Sequence, residues 1–212
     1  MIRPLVRNPA AAVTVRLVTI MLALIVTACA TTTTPVPAPS ADTAWQARQR
    51  RLATLQRWTL QGRVAIETAQ DSGTATLTWE QDGDRYIMRI MAPLSQGTFE
   101  LRGDDRSVAL RTPENETLTA TDPQALMQQN LGWSLPVAGL KYWVRGIPAP
   151  GSPARQLRVD AAGRMLDLEQ DGWRVSVLRY KLVGTEEVPD KLYMENSPLK
   201  MRVVIAEWKF QL

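Results

Sequence analysis

No histidine occurs anywhere in the 212-residue chain, and there is a single cysteine, Cys29. Without histidine the usual general base, the commonest metal ligand and every Ser-His or Cys-His nucleophile are excluded. One cysteine permits neither an internal disulfide nor a thiolate metal cluster. No Gly-rich phosphate loop follows any strand-like segment; the glycines fall mostly in turns. Paired carboxylates are the remaining catalytic option, with Glu67, Glu80, Glu100 and Glu169 on or near strands, but solvated carboxylates are far commoner than catalytic ones. The chain reads as a non-enzyme with no metal and no cofactor. No apolar run is long enough for an ordinary membrane span either.

What is present at the start of the chain is a targeting segment. Arg3, Arg7 and Arg16 form a positive region, Leu17 to Val26 is an apolar stretch, and Val26-Thr27-Ala28-Cys29 follows. Small residues just before a cysteine resemble the lipobox of a bacterial lipoprotein signal. The resemblance implies a signal peptide over residues 1–28, cleavage before Cys29 and acylation of that cysteine. Removing the three arginines leaves 22 basic against 21 acidic side chains, so the mature charge gives no reason to expect a nucleic-acid partner. Residue 30 is Ala; an Asp there is the inner-membrane retention signal of enterobacterial lipoproteins, so the expected location is the outer membrane of a Gram-negative bacterium, facing the periplasm. Residues 29–43 make up the lipidated cysteine and a Pro- and Thr-rich tether that can hold the folded part up to about 40 Å from the bilayer. The body is one domain, 44–212, expected to be a monomer.

Within the body the hydrophobic period is mostly two. Asp42 and Thr43 can cap a helix from Ala44 to about Gln56. Alternating runs then predict strands at Trp58–Glu67, Thr74–Glu80, Tyr86–Met91, Thr98–Arg102, Arg106–Thr112 and Thr117–Ala120. Asp122-Pro123 opens a helix to Leu131, and Val137–Arg145 is a second short helical piece. Strands at Arg155–Asp160, Arg164–Gln170, Trp173–Tyr180, Lys191–Glu195 and Leu199–Phe210 complete the chain, with Asp171-Gly172 as a hairpin signal. Eleven strands and three helices joined by tight turns predict a mainly β protein with an antiparallel sheet. Eleven curling strands enclose more space than their own side chains fill, so the helices either plug the interior or leave an apolar cavity. Leu94 in the Ala92–Gly97 connection is an apolar side chain at a turn tip, which must either pack or enter something.

The stretches LTWEQDGDRYIMRIMAPL (Leu77 to Leu94), LGWSLPVAGLKYWVRGIP (Leu131 to Pro148), DAAGRMLDLEQDGWRV (Asp160 to Val175), and VPDKLY with LKMRVVIAEW (Val188 to Trp208) resemble the LolB family of outer-membrane lipoprotein receptors. The resemblance implies an incomplete antiparallel β-barrel of eleven strands covered by helices, with an apolar cavity for acyl chains. It also implies partners: a LolA-type periplasmic carrier that hands over client lipoproteins, and the inner leaflet of the outer membrane that receives them. Cavity candidates are Leu77, Trp79, Tyr86, Met88, Ile90, Phe99, Leu126, Trp133, Leu140 and Trp143. In that family a loop leucine is associated with membrane delivery, which places the role on Pro93 and Leu94. The family commonly has Pro-Leu-Gly where this chain has Pro93-Leu94-Ser95, so Gly97 is the available residue for positive φ. The other classes consistent with the sequence are a carrier of a different lipid and a structural adaptor lipoprotein.

Overall fold

A computed structural model describes residues 40–91, 97–104, 106–131 and 133–211. Cys29, residues 30–39 of the expected tether, Pro93 and Leu94 lie outside these residues, while residues 41–43 of that expected tether are helical. The first helix among the described residues, α1 (Ala41–Ala53), begins three residues before the expected Ala44, because Ser40 rather than Asp42 or Thr43 is the cap: its side chain accepts from the Thr43 backbone N–H at 3.3 Å. Asp42 in the first turn and Arg50 and Arg51 in the last complement the helix dipole. Trp45, Arg48 and Leu52 form its buried face.

Among the described residues, eleven antiparallel strands then make one unclosed sheet. In chain order they are β1 (Arg57–Glu67), β2 (Ser72–Asp82), β3 (Arg85–Met91), β4 (Thr98–Gly103), β5 (Val108–Arg111), β6 (Thr117–Ala120), β7 (Arg155–Val159), β8 (Met165–Gln170), β9 (Trp173–Val183), β10 (Glu186–Asn196) and β11 (Leu199–Phe210). Two further helices, α2 (Pro123–Leu131) and α3 (Val137–Trp143), lie in the connection from β6 to β7. The spatial order is β6-β5-β4-β3-β2-β1-β11-β10-β9-β8-β7. Two meanders are thus joined at the centre by β1 and β11, and the open edges are β6 and β7, the two strands that the helical connection links.

Alternation sets the faces. Along β1, Trp58, Leu60, Gly62 and Val64 are buried while Arg57, Gln61 and Arg63 are exposed; β11 buries Met201, Val203 and Ile205 and exposes Arg202 and Val204. The β1–β11 register shifts between Gln61 and Gly62, and glycine is required there, since a Cβ on Gly62 would stand 2.2 Å from the Val204 carbonyl oxygen. Asp171 and Gly172 both have positive φ, 52° and 77°, which gives the two-residue hairpin the twist the strands need. β9 and β10 run on to Val183 and Glu186, beyond the expected ends at Tyr180 and Lys191. Charged residues and Pro189 hide the alternation there, and a turn at Gly184 with φ 61° pairs the extensions.

Candidate functional site

Between the inner face of the sheet and the α3 segment lies an apolar hollow. The wall on the sheet side is Val64 and Ile66 of β1, Leu77 and Trp79 of β2, Met88 and Ile90 of β3, Met194 of β10, and Met201 and Val203 of β11. The cover is Leu135, Leu140 and Val144. No polar atom faces the space. Its volume is about 20 Å³, roughly one water's worth and far less than an acyl chain. The hollow is therefore a narrow seam of hydrocarbon contacts, three of the lining residues being methionines, whose unbranched side chains re-pack around irregular shapes.

The cover is held by directional bonds outside the hollow. Arg145, immediately after α3, is 2% exposed, and its guanidinium donates to the carbonyls of Leu52 at 3.0 Å, Leu55 at 2.8 Å and Lys141 at 2.8 Å. The Leu52 and Leu55 carbonyls lie at the C-terminal end of α1, where the helix dipole favours a cation. No carboxylate pairs with Arg145 among the described residues; burial lowers its pKa to about 10, leaving it charged at neutral pH. Trp143 donates its indole N–H to Gln170 at 2.8 Å, and Gln170 also receives the Ala149 N–H and donates to the Ala149 and Ser152 carbonyls, so all its capacity at this buried site is used. Lys141 reaches Asp84 at 2.8 Å on the β2–β3 turn, and its ammonium holds that carboxyl below its usual range. A second buried cation, Arg48 of α1, donates to the Glu187 carbonyl and lies over the Tyr180 ring, with desolvation lowering its pKa.

Of the residues expected from sequence to line a cavity, the structure brings Leu77, Trp79, Met88, Ile90 and Leu140 together around the hollow. The other five lie elsewhere. Trp143 is fully buried but turned toward Gln170 and the Trp173 ring, because its N–H needs an acceptor. Tyr86 faces Gly103 at the far end of β3, with its hydroxyl buried and unpartnered among the described residues. Phe99 and Trp133 are half-buried against the core, and Leu126 is buried in α2; none of the three lines the space. Sequence reasoning missed Val64, Ile66, Leu135, Val144, Met194, Met201 and Val203, and also Arg145. A signal for Arg145 was available: a cation inside the apolar run YWVRGI must find polar partners.

The four carboxylates considered for acid–base chemistry are engaged with cations on the outer face. Arg89 bridges Glu80 at 2.6 Å and Glu100 at 2.7 Å, Arg174 meets Glu169 at 3.4 Å, and Lys200 meets Glu67 at 3.0 Å. Larger grooves of about 730 and 660 Å³ open on the sheet's outer ends, lined by mixed charges such as Arg155, Asp171 and Lys200 in one and Asp82, Arg85 and Asp104 in the other. Neither offers a continuous apolar wall.

Residues 56–208 match the family model described as outer membrane lipoprotein LolB, and a protein of that name from Nitrosococcus oceani is 41% identical over 92% of this chain and 97% of its own length. The chain belongs to the outer-membrane lipoprotein LolB family. A LolB from Pseudomonas paraeruginosa is 38% identical over 78% of this chain and 80% of its own. Among solved structures, a LolA superfamily protein from Nitrosomonas europaea superposes with a TM-score of 0.54 at 11% identity, covering 82% of this chain and 95% of that one. A DUF1329 family protein from Desulfovibrio piger follows at TM-score 0.51 and 8% identity over 82% and 95%. At such identities these two likenesses concern the fold, and they bear out the incomplete, helix-covered antiparallel barrel that the LolB resemblance implied. The family's outer-membrane setting agrees with the location expected from residue 30. No helix among the described residues is long and apolar enough to cross a membrane.

Proposed function

We propose that this LolB-family chain is a lipoprotein receptor of the outer membrane, accepting clients from a LolA-type periplasmic carrier and releasing them into the inner leaflet without nucleotide. The observation that supports this most strongly is the all-apolar hollow beneath α3, narrowed by contacts that hydrocarbon can replace. Each buried CH₂ is worth roughly 0.8 kcal/mol, so acyl chains do not leave for water at a useful rate and must pass through contact. Entry requires α3 and the Leu135 segment to lift from the sheet. Met88, Met194 and Met201 then re-pack around the incoming chains, while Arg145 and its α1 carbonyls, Trp143 with Gln170, and Lys141 with Asp84 oppose the opening. The bilayer, a larger apolar sink, draws the chains onward.

In this reading Cys29 carries the anchor, the residues from there to the Ser40 cap are the tether, and Leu94 with Pro93 touches the bilayer. Burying one leucine contributes about 1.5 to 3 kcal/mol, too little to anchor the domain but enough to orient one that is already tethered. The deciding experiment mixes the mature chain carrying Cys29→Ala with a loaded carrier. Movement of cargo onto the chain supports the proposal; uptake of a hydrophobic probe without cargo acceptance overturns the receptor role in favour of a carrier of another lipid. Leu94→Glu is expected to retain acyl binding and lose deposition into vesicles.

A further inference from the structure

The strand register places a row of side chains on the outer face that the hollow does not use. Met91 pairs with Thr76, Thr76 with Arg63, Arg63 with Val204, and Val204 with Lys191. Directly opposed residues in an antiparallel pair share a face. Because the neighbours Ile90, Leu77, Val64, Val203 and Leu192 point inward, this row points out. It crosses five strands, about 20 Å at the usual strand spacing. Arg202 lies two residues along β11, opposite Ala65 and Tyr193. Large apolar side chains are exposed within the row: Met91 by 56% and Val204 by 36%.

The charges nearby are unbalanced. Glu67 is matched by Lys200, Asp190 by Arg179, Glu195 by Arg174 and Glu207 by Lys209. Arg63, Lys191 and Arg202 have no carboxylate within ion-pair distance among the described residues, so three cations stand on this face without an ion-pair partner. Cations interleaved with exposed apolar side chains suit an interface with anionic headgroups above and hydrocarbon below. The row also begins at Met91, the last residue before the loop that holds Leu94.

We propose that Arg63, Lys191 and Arg202, together with Met91, form a contact surface for anionic phospholipid headgroups, which fixes how the tethered domain lies on the bilayer. This rests on the membrane-delivery reading above and adds to it the lipid class and the residues that select it. A soluble acidic protein would match the cations, but it gives no reason for the row to run out from the Leu94 loop.

The test measures binding of the mature chain with Cys29→Ala to vesicles of phosphatidylethanolamine with one quarter phosphatidylglycerol, and to vesicles of phosphatidylcholine alone. Removing each charge is expected to weaken anionic-vesicle binding about fivefold, so the combined Arg63→Gln, Lys191→Gln and Arg202→Gln variant loses on the order of a hundredfold. Phosphatidylcholine binding and the thermal midpoint stay unchanged, added salt erases the difference, and the charge-keeping set Arg63→Lys, Lys191→Arg and Arg202→Lys retains binding. Anionic-vesicle binding equal to the parent's overturns the proposal. A defect confined to taking cargo from the carrier also overturns it, and assigns the patch to a protein. Probe uptake and cargo acceptance by the parent are followed in parallel, so failure of the receptor reading registers separately from failure of the headgroup contact.

Discussion

The interior of the sheet has two ends built on different principles. At one end Trp58 meets Trp79 edge-on at 5.0 Å and Trp208 at 5.3 Å, and Trp208 stacks on Phe210. The indole N–H groups of Trp79 and Trp208 are fixed on Gln81 and the Pro189 carbonyl, both at 2.9 Å. At the other end the hollow is lined by methionines and aliphatic side chains with no polar atom facing it. Aromatic rings carrying hydrogen bonds have a direction to satisfy and little freedom to re-pack, whereas aliphatic and thioether contacts have none. The comparison teaches that, in the mechanism proposed above, opening belongs at the methionine end while the aromatic end holds the shell in register. Trp79 borders both.

The largest effect that could break this contrast is expected from Trp58→Ala, which removes the central ring of the aromatic end and should cost about 3–5 kcal/mol in denaturant unfolding. The folded fraction should still take up an acyl probe; loss of uptake in protein that remains folded would mean the two ends are not separable. Val203→Phe, which over-fills the hollow, should reverse the pattern. A cost of about 1–3 kcal/mol is expected from overpacking, with probe binding abolished, as read by fluorescence titration.

Gln170→Leu leaves the Trp143 N–H and the Ala149 backbone groups without their partner, and is expected to cost about 1–3 kcal/mol. Because this bond secures the cover, probe entry measured by stopped-flow should quicken, which sharpens the distinction between holding the lid and lining the space. The smallest effect concerns Tyr86, whose hydroxyl is buried and whose pKa is raised by desolvation to about 12. An acid with a raised folded-state pKa stabilises the fold fully below its unfolded value near 10, and that contribution is lost as pH rises toward 12. Unfolding midpoints followed from pH 9 to 11.5 should therefore fall, and Tyr86→Phe should lessen the fall while changing stability at pH 7 by within about 1 kcal/mol.

How much of this was legible beforehand follows from the kind of information each feature needs. Strands such as β1 and β11 declare themselves through strict alternation of Trp58, Leu60 and Val64 or Met201, Val203 and Ile205. Period two is a local property, and so is the Asp171-Gly172 turn. The continuation of β9 and β10 through Lys181–Val183 and Glu186–Asp190 was hidden because charges and a proline replace the pattern. Membership of the hollow depends on which part of the inner face α3 covers, a non-local fact. Alternation therefore found Leu77, Met88 and Ile90, but could not separate them from Tyr86 on the same strand face. Trp143 has the apolar bulk of a lining residue, but its one polar atom, satisfied by Gln170, turns it away from the hollow, which bulk alone does not disclose.

The central ladder of the sheet pairs the earliest strand of the domain with the last. The meander β1–β6 can form as soon as Ala120 is made, but the other half lacks its last strand, and the seam between the halves stays unpaired, until Leu199–Phe210 is available. Until then the apolar faces that meet across that seam lack each other's cover, and a pairing of such high sequence separation is the kind that forms late and leaves apolar surface exposed during folding.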